Sequence, residues 1–183
     1  KQELTELTQQ YRSAAESAKA AGFDAVELHM GHGYLLSQFL SPAVNKRKDG
    51  YGGSAENRAR FPVEVLQAVR QGIGDHMPII VKMNLRDGFR GGVEIEDSIA
   101  TAKLLEASGA DALVLSGGFS SKNAMYLFRG PTFVEELIKV QRRKIDKLVY
   151  RMARPVLKSQ PFEELYFLEL AKQLRKEVSL PLI

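Results

Sequence analysis

Residues 21–29 read Ala-Gly-Phe-Asp-Ala-Val-Glu-Leu-His, and residues 108–116 read Ser-Gly-Ala-Asp-Ala-Leu-Val-Leu-Ser. Each stretch places a glycine and an Asp-Ala pair directly before a short run of strand-forming residues. A helix is predicted before each one, over about 3–21, where apolar residues recur at three- and four-residue spacings, and over about 95–107. The repeat therefore predicts two copies of a helix followed by a strand.

The same alternation continues through the rest of the chain. A third strand is predicted at 78–84 after a helix at about 55–71, and a fourth begins at 180–183. The remaining gaps are predicted to be helical, over about 131–150 and 162–177. Strands that alternate with helices, without hairpin signals, are typical of βαβ units and a parallel sheet.

The two faces of the predicted strands differ in polarity, and this difference favours a barrel. The apolar face carries Val26, Leu28, Ile79, Val81, Met83, Leu113 and Leu115. The opposite face carries Glu27, His29, Ile80, Lys82, Asn84, Val114 and Ser116. A doubly wound sheet is covered by helices on both faces, whereas polar residues near the C-terminal strand ends suit the mouth of a (β/α)8 barrel. A complete barrel has eight strands in about 250 residues, so we expect residues 1–183 to form a single, incomplete α/β domain.

Composition narrows the class of protein. The chain is 44% hydrophobic and 26% charged, as in globular proteins, and no apolar run approaches the roughly 20 residues of a membrane helix. The absence of cysteine excludes disulfides, a cysteine nucleophile and cysteine-ligated metal sites, and it fits a reducing compartment such as the cytoplasm. Basic residues crowd 139–158 without the pattern of a nucleic-acid-binding module. We therefore expect neither a nucleic-acid nor a membrane partner.

The most informative cluster of chemically active residues directly follows the first predicted strand. Residues 29–34 read His-Met-Gly-His-Gly-Tyr. Two imidazoles can hold a carbonyl or nitro oxygen on which negative charge develops, and a phenol can protonate a carbon. Since barrel enzymes place their sites at this end of the strands, His29, His32 and Tyr34 are the candidate catalytic residues. Packing and turn formation remain an alternative, as does a metal site, although His76 precedes a strand at the opposite end and no third ligand is evident.

Lys82 is predicted to lie on the same open face. A buried ammonium group is costly unless an anion pairs with it. Glu27, on the preceding strand, is one possible partner. The other is an electron-rich cofactor ring, and the two alternatives stay open.

A long segment, 45–61, combines glycines with alternating charges. Ser54 suits the N-cap of the following helix, and Glu56 suits its first turn. The segment contains neither GxGxxG nor P-loop spacing. It is therefore interpreted as a loop held by its own side chains rather than as a phosphate site.

Taken in order, these segments resemble the old yellow enzyme family of FMN-dependent ene-reductases and NADH:flavin oxidoreductases. The resemblance spans almost the whole chain and is most specific over 21–61. The residues that carry it are Ala21–Asp24, His29–Leu36, Gln38–Pro42, Asn45, Arg47, Asp49–Ser54, Asn57, Arg58, Val81–Asn84, Ser116–Gly118 and Pro181–Ile183.

The resemblance implies a (β/α)8 barrel with FMN at its mouth, of which this chain covers strands four to six and the start of strand seven. It implies that His29 and His32 bind the oxygen of the substrate and that Tyr34 donates the proton. Lys82 stands where the family usually has an arginine beside the flavin pyrimidine. Lysine keeps the charge but lacks the planar fork that makes two parallel hydrogen bonds.

The resemblance also implies a reaction. NADH or NADPH reduces FMN, and hydride then passes to an alkene conjugated to a carbonyl or nitro group in a small-molecule substrate. The first three barrel strands and the phosphate-binding loops after strands seven and eight have no counterpart in this chain. Because a partial barrel exposes strand edges, we expect a homo-oligomer. The alternatives are a flavin-free lyase or isomerase that uses His29, His32 and Lys82, and a non-catalytic, self-associating chain.

Overall fold

Three parallel strands lie side by side in chain order, β1-β2-β3, in a computed structural model that describes residues 2–123, 125–131, 134–154 and 159–183. The strands are β1 (Val26–Met30), β2 (Ile79–Arg86) and β3 (Ala112–Gly117). The helices are α1 (Gln2–Ala20), α2 (Leu35–Leu40), α3 (Ala55–Ile73), α4 (Ile95–Ala107), α5 (Ser120–Asn123), α6 (Met125–Phe128), α7 (Val134–Val140), α8 (Lys144–Ala153) and α9 (Leu168–Arg175). Among the described residues, no helix is both long and apolar enough to cross a membrane.

The strand register brings the polar residues of the open face into neighbouring positions. His29 pairs with Lys82 across β1 and β2, and Asn84 pairs with Ser116 across β2 and β3. The chain end adds to the same sheet, because the Ile183 N–H donates to the Leu113 carbonyl at 2.9 Å in a parallel arrangement. The three predicted strands and the start of a fourth are thus confirmed.

The hydrophobic core lies between the sheet and the helices that cover one of its faces. Helix α3 contributes residues at four-residue spacing, which fall on one side of a helix; they are Phe61, Val65, Val69 and Ile73. Leu28, Val81 and Leu113 meet this core from the three strands, and all are buried. Burying one such side chain stabilises the fold by about 1.5–3 kcal/mol. The predicted apolar face is therefore the packed one, as expected for an α/β fold and consistent with part of a barrel.

Two helix predictions were wrong in extent, whereas those for α1, α3 and α4 agree within two residues. The predicted helix over 131–150 is divided into α7 and α8 by residues 141–143, where Arg143 has an extended backbone with a φ of −91° and a ψ of 136°. The Gln141 side chain donates to the Leu137 carbonyl at 3.0 Å, in the last turn of α7, where carbonyls lose their intrahelical partners. Arg154 forms an ion pair with Glu135 across the break. Residues 132–133 of that prediction, and Lys158 of the basic stretch, lie outside the described residues.

The predicted helix over 162–177 begins later than expected, at Leu168. Residues 164–167 form a turn in which Leu165 has a φ of 55°. A left-handed residue with a Cβ atom interrupts a right-handed helix. The helix therefore starts only after this turn.

Candidate active site

The three residues predicted to be catalytic lie together at the C-terminal end of β1. The ring centroids of His29 and His32 are 4.8 Å apart, and the rings are nearly perpendicular. The Tyr34 ring lies 5.2 Å from that of His29 and is more than half exposed. The end of β1 and the short turn that follows it therefore present two imidazoles and an accessible phenol together.

Two glycines allow this turn to be tight. A Cβ atom on Gly31 would lie 2.8 Å from Asn84 Oδ1, so a side chain there would displace the amide. Gly33 has a φ of 82°, and a Cβ on it would lie 2.5 Å from the Phe119 ring. Between them, His32 is itself left-handed, with a φ of 60°. Such a conformation is uncommon for a residue with a Cβ and requires support from its surroundings.

That support comes from the ends of β2 and β3. The His32 backbone N–H donates to Asn84 Oδ1 at 3.1 Å. The His32 Nε2 atom is hydrogen-bonded to Ser116 Oγ at 2.6 Å. The imidazole is therefore held through both its backbone and its ring.

His29 is less completely bonded. Its Nδ1 atom is buried and has no hydrogen-bond partner among the described residues. Leaving a buried polar atom unsatisfied costs about 1–3 kcal/mol. The ring also lines a groove beside β1 together with Glu27 and Tyr11.

The electrostatic environment favours neutral imidazoles. Burial lowers the pKa of His29 below its ordinary 6.5, and Lys82 lowers it further, while Glu27 acts in the opposite direction. Burial also lowers the pKa of His32, with additional contributions from His29 and Lys82. Near pH 7 each ring therefore carries one N–H donor and one acceptor nitrogen.

Lys82 forms an ion pair with Glu27, the first of the two partners considered. Lys82 Nζ lies 2.9 Å from Glu27 Oε1, and the two side chains are 32% and 39% exposed. A pair this accessible to solvent contributes about 0–1 kcal/mol. The pair lies on the open face of the sheet, next to His29.

A cavity of about 130 Å³ adjoins His32 on the side of β3. Its walls come from the turn after β1 and from the segment after β3; the lining residues are His32, Tyr34, Gly117, Gly118, Phe119, Ser120, Leu127 and Phe128. Tyr34 and His32 therefore line the same cavity.

The metal alternative lacks further ligands in the described part of the chain, which contains no group of three His, Cys, Asp or Glu side chains suited to a metal ion. His76 is exposed and precedes β2, at the end of the sheet away from His29 and His32.

Residues 45–54, the part of the 45–61 segment that precedes α3, form a loop held by its own side chains, as predicted. Asn45 Nδ2 donates to the carbonyls of Phe39 and Tyr51, both at 2.7 Å. An ion pair with Arg47 lowers the pKa of Asp49 to about 2. The Ser54 side chain caps α3. The polar groups of this loop thus bond within the loop and its neighbours.

Sequence reasoning did not select three residues that support the site. Asn84 and Ser116 hold His32, and Asp87 in turn bonds Asn84. The signal for Asn84 and Ser116 was present, because both are polar residues on the open face at C-terminal strand ends. Asp87 follows β2 in an Arg-Asp-Gly turn and carries no comparable pattern.

A sequence profile of the NADH:flavin oxidoreductase / NADH oxidase family matches residues 1–124, which include His29, His32, Tyr34 and Lys82. The chain belongs to this family. Its members are oxidoreductases that use FMN with NAD(P)H as the reductant. The resemblance seen in the sequence is therefore confirmed at the level of the family.

Individual proteins agree with this assignment. The 4,4'-dithiodibutanoate disulfide reductase of Rhodococcus erythropolis is 40% identical over 182 residues, which cover 99% of this chain and 45% of that enzyme. Among solved structures, a 2-naphthoyl-CoA reductase in complex with 2-naphthoyl-CoA superposes with a TM-score of 0.73 at 30% identity, over 98% of this chain and 23% of that one. The old yellow enzyme homologue from Zymomonas mobilis superposes with a TM-score of 0.59 at 25% identity, over 98% of this chain and 54% of that one. The chain thus spans less than half of the disulfide reductase.

Proposed function

We propose that the protein is an FMN-dependent oxidoreductase that takes electrons from NAD(P)H and reduces an activated alkene held by His29, His32 and Tyr34. The observation that carries this proposal is the grouping of two imidazoles and an exposed phenol at the C-terminal edge of a parallel sheet, with the ring centroids of His32 and Tyr34 4.8 and 5.2 Å from that of His29. The choice of FMN as the cofactor and NAD(P)H as the reductant rests on the family to which the chain belongs.

The residues present fit the ring system of FMN better than its phosphate. Lys82 offers a cationic donor on the open face, and the buried Nδ1 of His29 lacks a partner among the described residues. We therefore assign Lys82 to the edge of the flavin ring. The glycine-containing loop at 45–54 already forms hydrogen bonds within itself and to its neighbours, so the phosphate is assigned elsewhere.

When bound, FMN supplies hydride that originates from NAD(P)H. The protein side chains act on the acceptor. His29 and His32 donate hydrogen bonds to its carbonyl or nitro oxygen as negative charge develops there, and they are oriented before the reaction begins. Tyr34 gives its phenolic proton to the α-carbon. With hydride on the β-carbon and the proton on the α-carbon, the C=C bond becomes a single bond.

In this proposal β1, β2 and β3 are barrel strands four, five and six, and Leu180–Ile183 begins strand seven. The alternation of an apolar and a polar strand face supports it, because the polar face would line the barrel mouth. Residues 1–183 would then be one incomplete domain.

A second class of acceptor is favoured by one specific observation. The Rhodococcus relative, at 40% identity, is a disulfide reductase. Hydride added to one sulfur breaks the S–S bond and leaves one thiol and one thiolate, and the thiolate takes one proton to give the second thiol. In this reaction Tyr34, which is exposed beside the imidazoles, supplies that proton to the departing sulfur.

Spectroscopy and turnover of the full-length enzyme test the proposal together. We expect a yellow protein that releases FMN on denaturation and that oxidises NAD(P)H when 2-cyclohexen-1-one is added. Turnover with 4,4'-dithiodibutanoate in place of the enone would identify the second acceptor class. A flavin-free protein without NAD(P)H-dependent activity would contradict the proposal and favour the lyase or isomerase alternative.

A further inference from the structure

We propose that Asn84 is a positioning residue that holds His32 in the acceptor site, an inference that rests on the proposed function. Asn84 lies near the C-terminal end of β2 on the open face, and it is only 4% exposed. It does not belong to the His29–Tyr34 cluster. It acts on that cluster through the backbone of His32.

The Asn84 amide joins the segments that follow all three strands. Its Oδ1 accepts the His32 N–H at 3.1 Å, after β1. Its Nδ2 donates to Asp87 Oδ1 at 2.8 Å, after β2, and to the Gly118 carbonyl at 2.8 Å, after β3. One side chain therefore fixes the relative positions of three loops.

Only an amide can make this set of bonds. Asparagine offers two N–H donors and an acceptor oxygen on one short side chain. Aspartate would keep the acceptor for His32, but it would place a second oxygen against the Asp87 carboxylate and the Gly118 carbonyl. Leucine would fill a similar volume without any of the three bonds.

The orientation of the amide is determined by its surroundings. Asp87 is fully buried, and its Oδ2 accepts the Ser41 hydroxyl at 2.7 Å and the Val93 N–H at 2.9 Å. With Asp87 held from that side, its Oδ1 is left to accept Nδ2 of Asn84. Oδ1 of Asn84 must then point to the N–H of His32. If the amide were reversed, its oxygen would face the Asp87 carboxylate and its NH₂ group would face the His32 N–H, so neither bond could form.

His32 needs this support because its left-handed backbone is unfavourable for a side chain with a Cβ atom. Ser116, the register neighbour of Asn84, holds the ring of the same residue. Gly31 leaves space for the amide, since a Cβ there would contact Asn84 Oδ1. The three residues together define where the imidazole lies.

A double-mutant cycle in the full-length, FMN-loaded enzyme tests this role. We expect Asn84→Leu to raise the Kd for 4-hydroxybenzaldehyde about tenfold. In a chain that already carries His32→Ala, Asn84→Leu should cause no further loss of affinity, because the effects of coupled residues are not additive. Met83→Ala is the matched control: Met83 is the neighbouring buried residue but packs on the helix-covered side. It should lower the melting temperature, leave the Kd unchanged and preserve the effect of His32→Ala.

The outcomes separate the two proposals. If His32→Ala alone leaves ligand binding unchanged, the proposed function fails. If His32→Ala weakens binding but Asn84→Leu does not, or if their effects simply add, the positioning role fails. Hydrogen exchange of the His32 backbone amide gives a readout that does not depend on a ligand. This amide should lose its protection from exchange in Asn84→Leu and keep it in Met83→Ala. Equal protection in the parent enzyme and both variants would overturn the inference.

A second variant covers the case in which Asn84→Leu does not fold. Gly31→Ala presses on the same amide from the side of the turn and leaves Asn84 in place. We expect a raised Kd and faster exchange of the His32 amide, and unchanged values for both would contradict the inference.

Discussion

Lys82 and Glu27 form an ion pair across β1 and β2, with Nζ 2.9 Å from Oε1, on the open face of the sheet. His29 lies beside this pair and responds to both charges, since Lys82 lowers its pKa and Glu27 raises it. The pair therefore influences the acceptor site as well as the proposed position of the flavin ring.

Replacing Lys82 tests its assignment to the flavin. We expect Lys82→Met to weaken FMN binding about tenfold, or about 1.4 kcal/mol, because a cationic donor is lost from the edge of the ring. Quenching of FMN fluorescence measures the affinity. Glu27→Gln breaks the same ion pair and keeps the cation, so it should retain FMN. Equal losses in the two variants would assign Lys82 to the ion pair alone.

The lowered pKa values of the histidines predict a dependence of stability on pH. In the unfolded chain each imidazole titrates near 6.5, whereas in the folded protein His29 and His32 titrate lower. Below about pH 6.5 the unfolded chain binds more protons, so stability falls as the pH drops towards the folded-state pKa. We expect the melting temperature to fall between about pH 7.5 and 5.5, and to fall less when both residues are replaced by asparagine. An equal fall in that variant would contradict this account.

Tyr34 is expected to act at the proton-transfer step alone. Tyr34→Phe removes the hydroxyl and keeps the ring, which packs near His29. We expect FMN binding to be unchanged and reduction of an enone to slow by roughly 100- to 10,000-fold, the usual contribution of general acid catalysis. Because water could protonate some products, 2-cyclohexen-1-one and a nitroalkene should both be measured. Wild-type rates with both acceptors would remove Tyr34 from the mechanism.

The exposed apolar surface of helix α8 leads us to expect that the 183-residue chain self-associates. The exposed apolar side chains of this helix, from 54% to 73% accessible, are Ile145, Leu148, Val149 and Met152. Exposed apolar surface of this kind favours association with a second copy. Sedimentation velocity should show a dimer or larger species, and Leu148→Lys with Met152→Lys should shift it towards the 20.4 kDa monomer. Lys144→Ser, outside the apolar stripe, is the control, and a monomeric parent chain would contradict the prediction.

Much of the fold could be predicted because its signals are local. The alternation of apolar and polar residues along β1, β2 and β3 identifies the strands and their packed face. The His29–Tyr34 cluster stood out because it follows a strand directly. Its members are adjacent in sequence, so their proximity in space required no knowledge of distant contacts.

The parts that could not be predicted depend on contacts between distant residues. The pairing of Arg154 with Glu135 across the break between α7 and α8 joins residues 19 positions apart. The support of His32 by Asn84 and Ser116 joins residues 52 and 84 positions away along the chain. Periodicity places such residues on a face of the sheet, but it does not pair them.

Stopped-flow spectroscopy of the acceptor half-reaction tests the central claim most directly. The full-length enzyme, reduced anaerobically with NAD(P)H, is mixed with 2-cyclohexen-1-one while flavin absorbance is recorded. Loss of one donor to the developing oxyanion costs about 2–4 kcal/mol, so His29→Ala or His32→Ala should slow reoxidation by roughly 30- to 900-fold. Reoxidation at the parent rate in both variants would contradict the claim that these two imidazoles activate the acceptor.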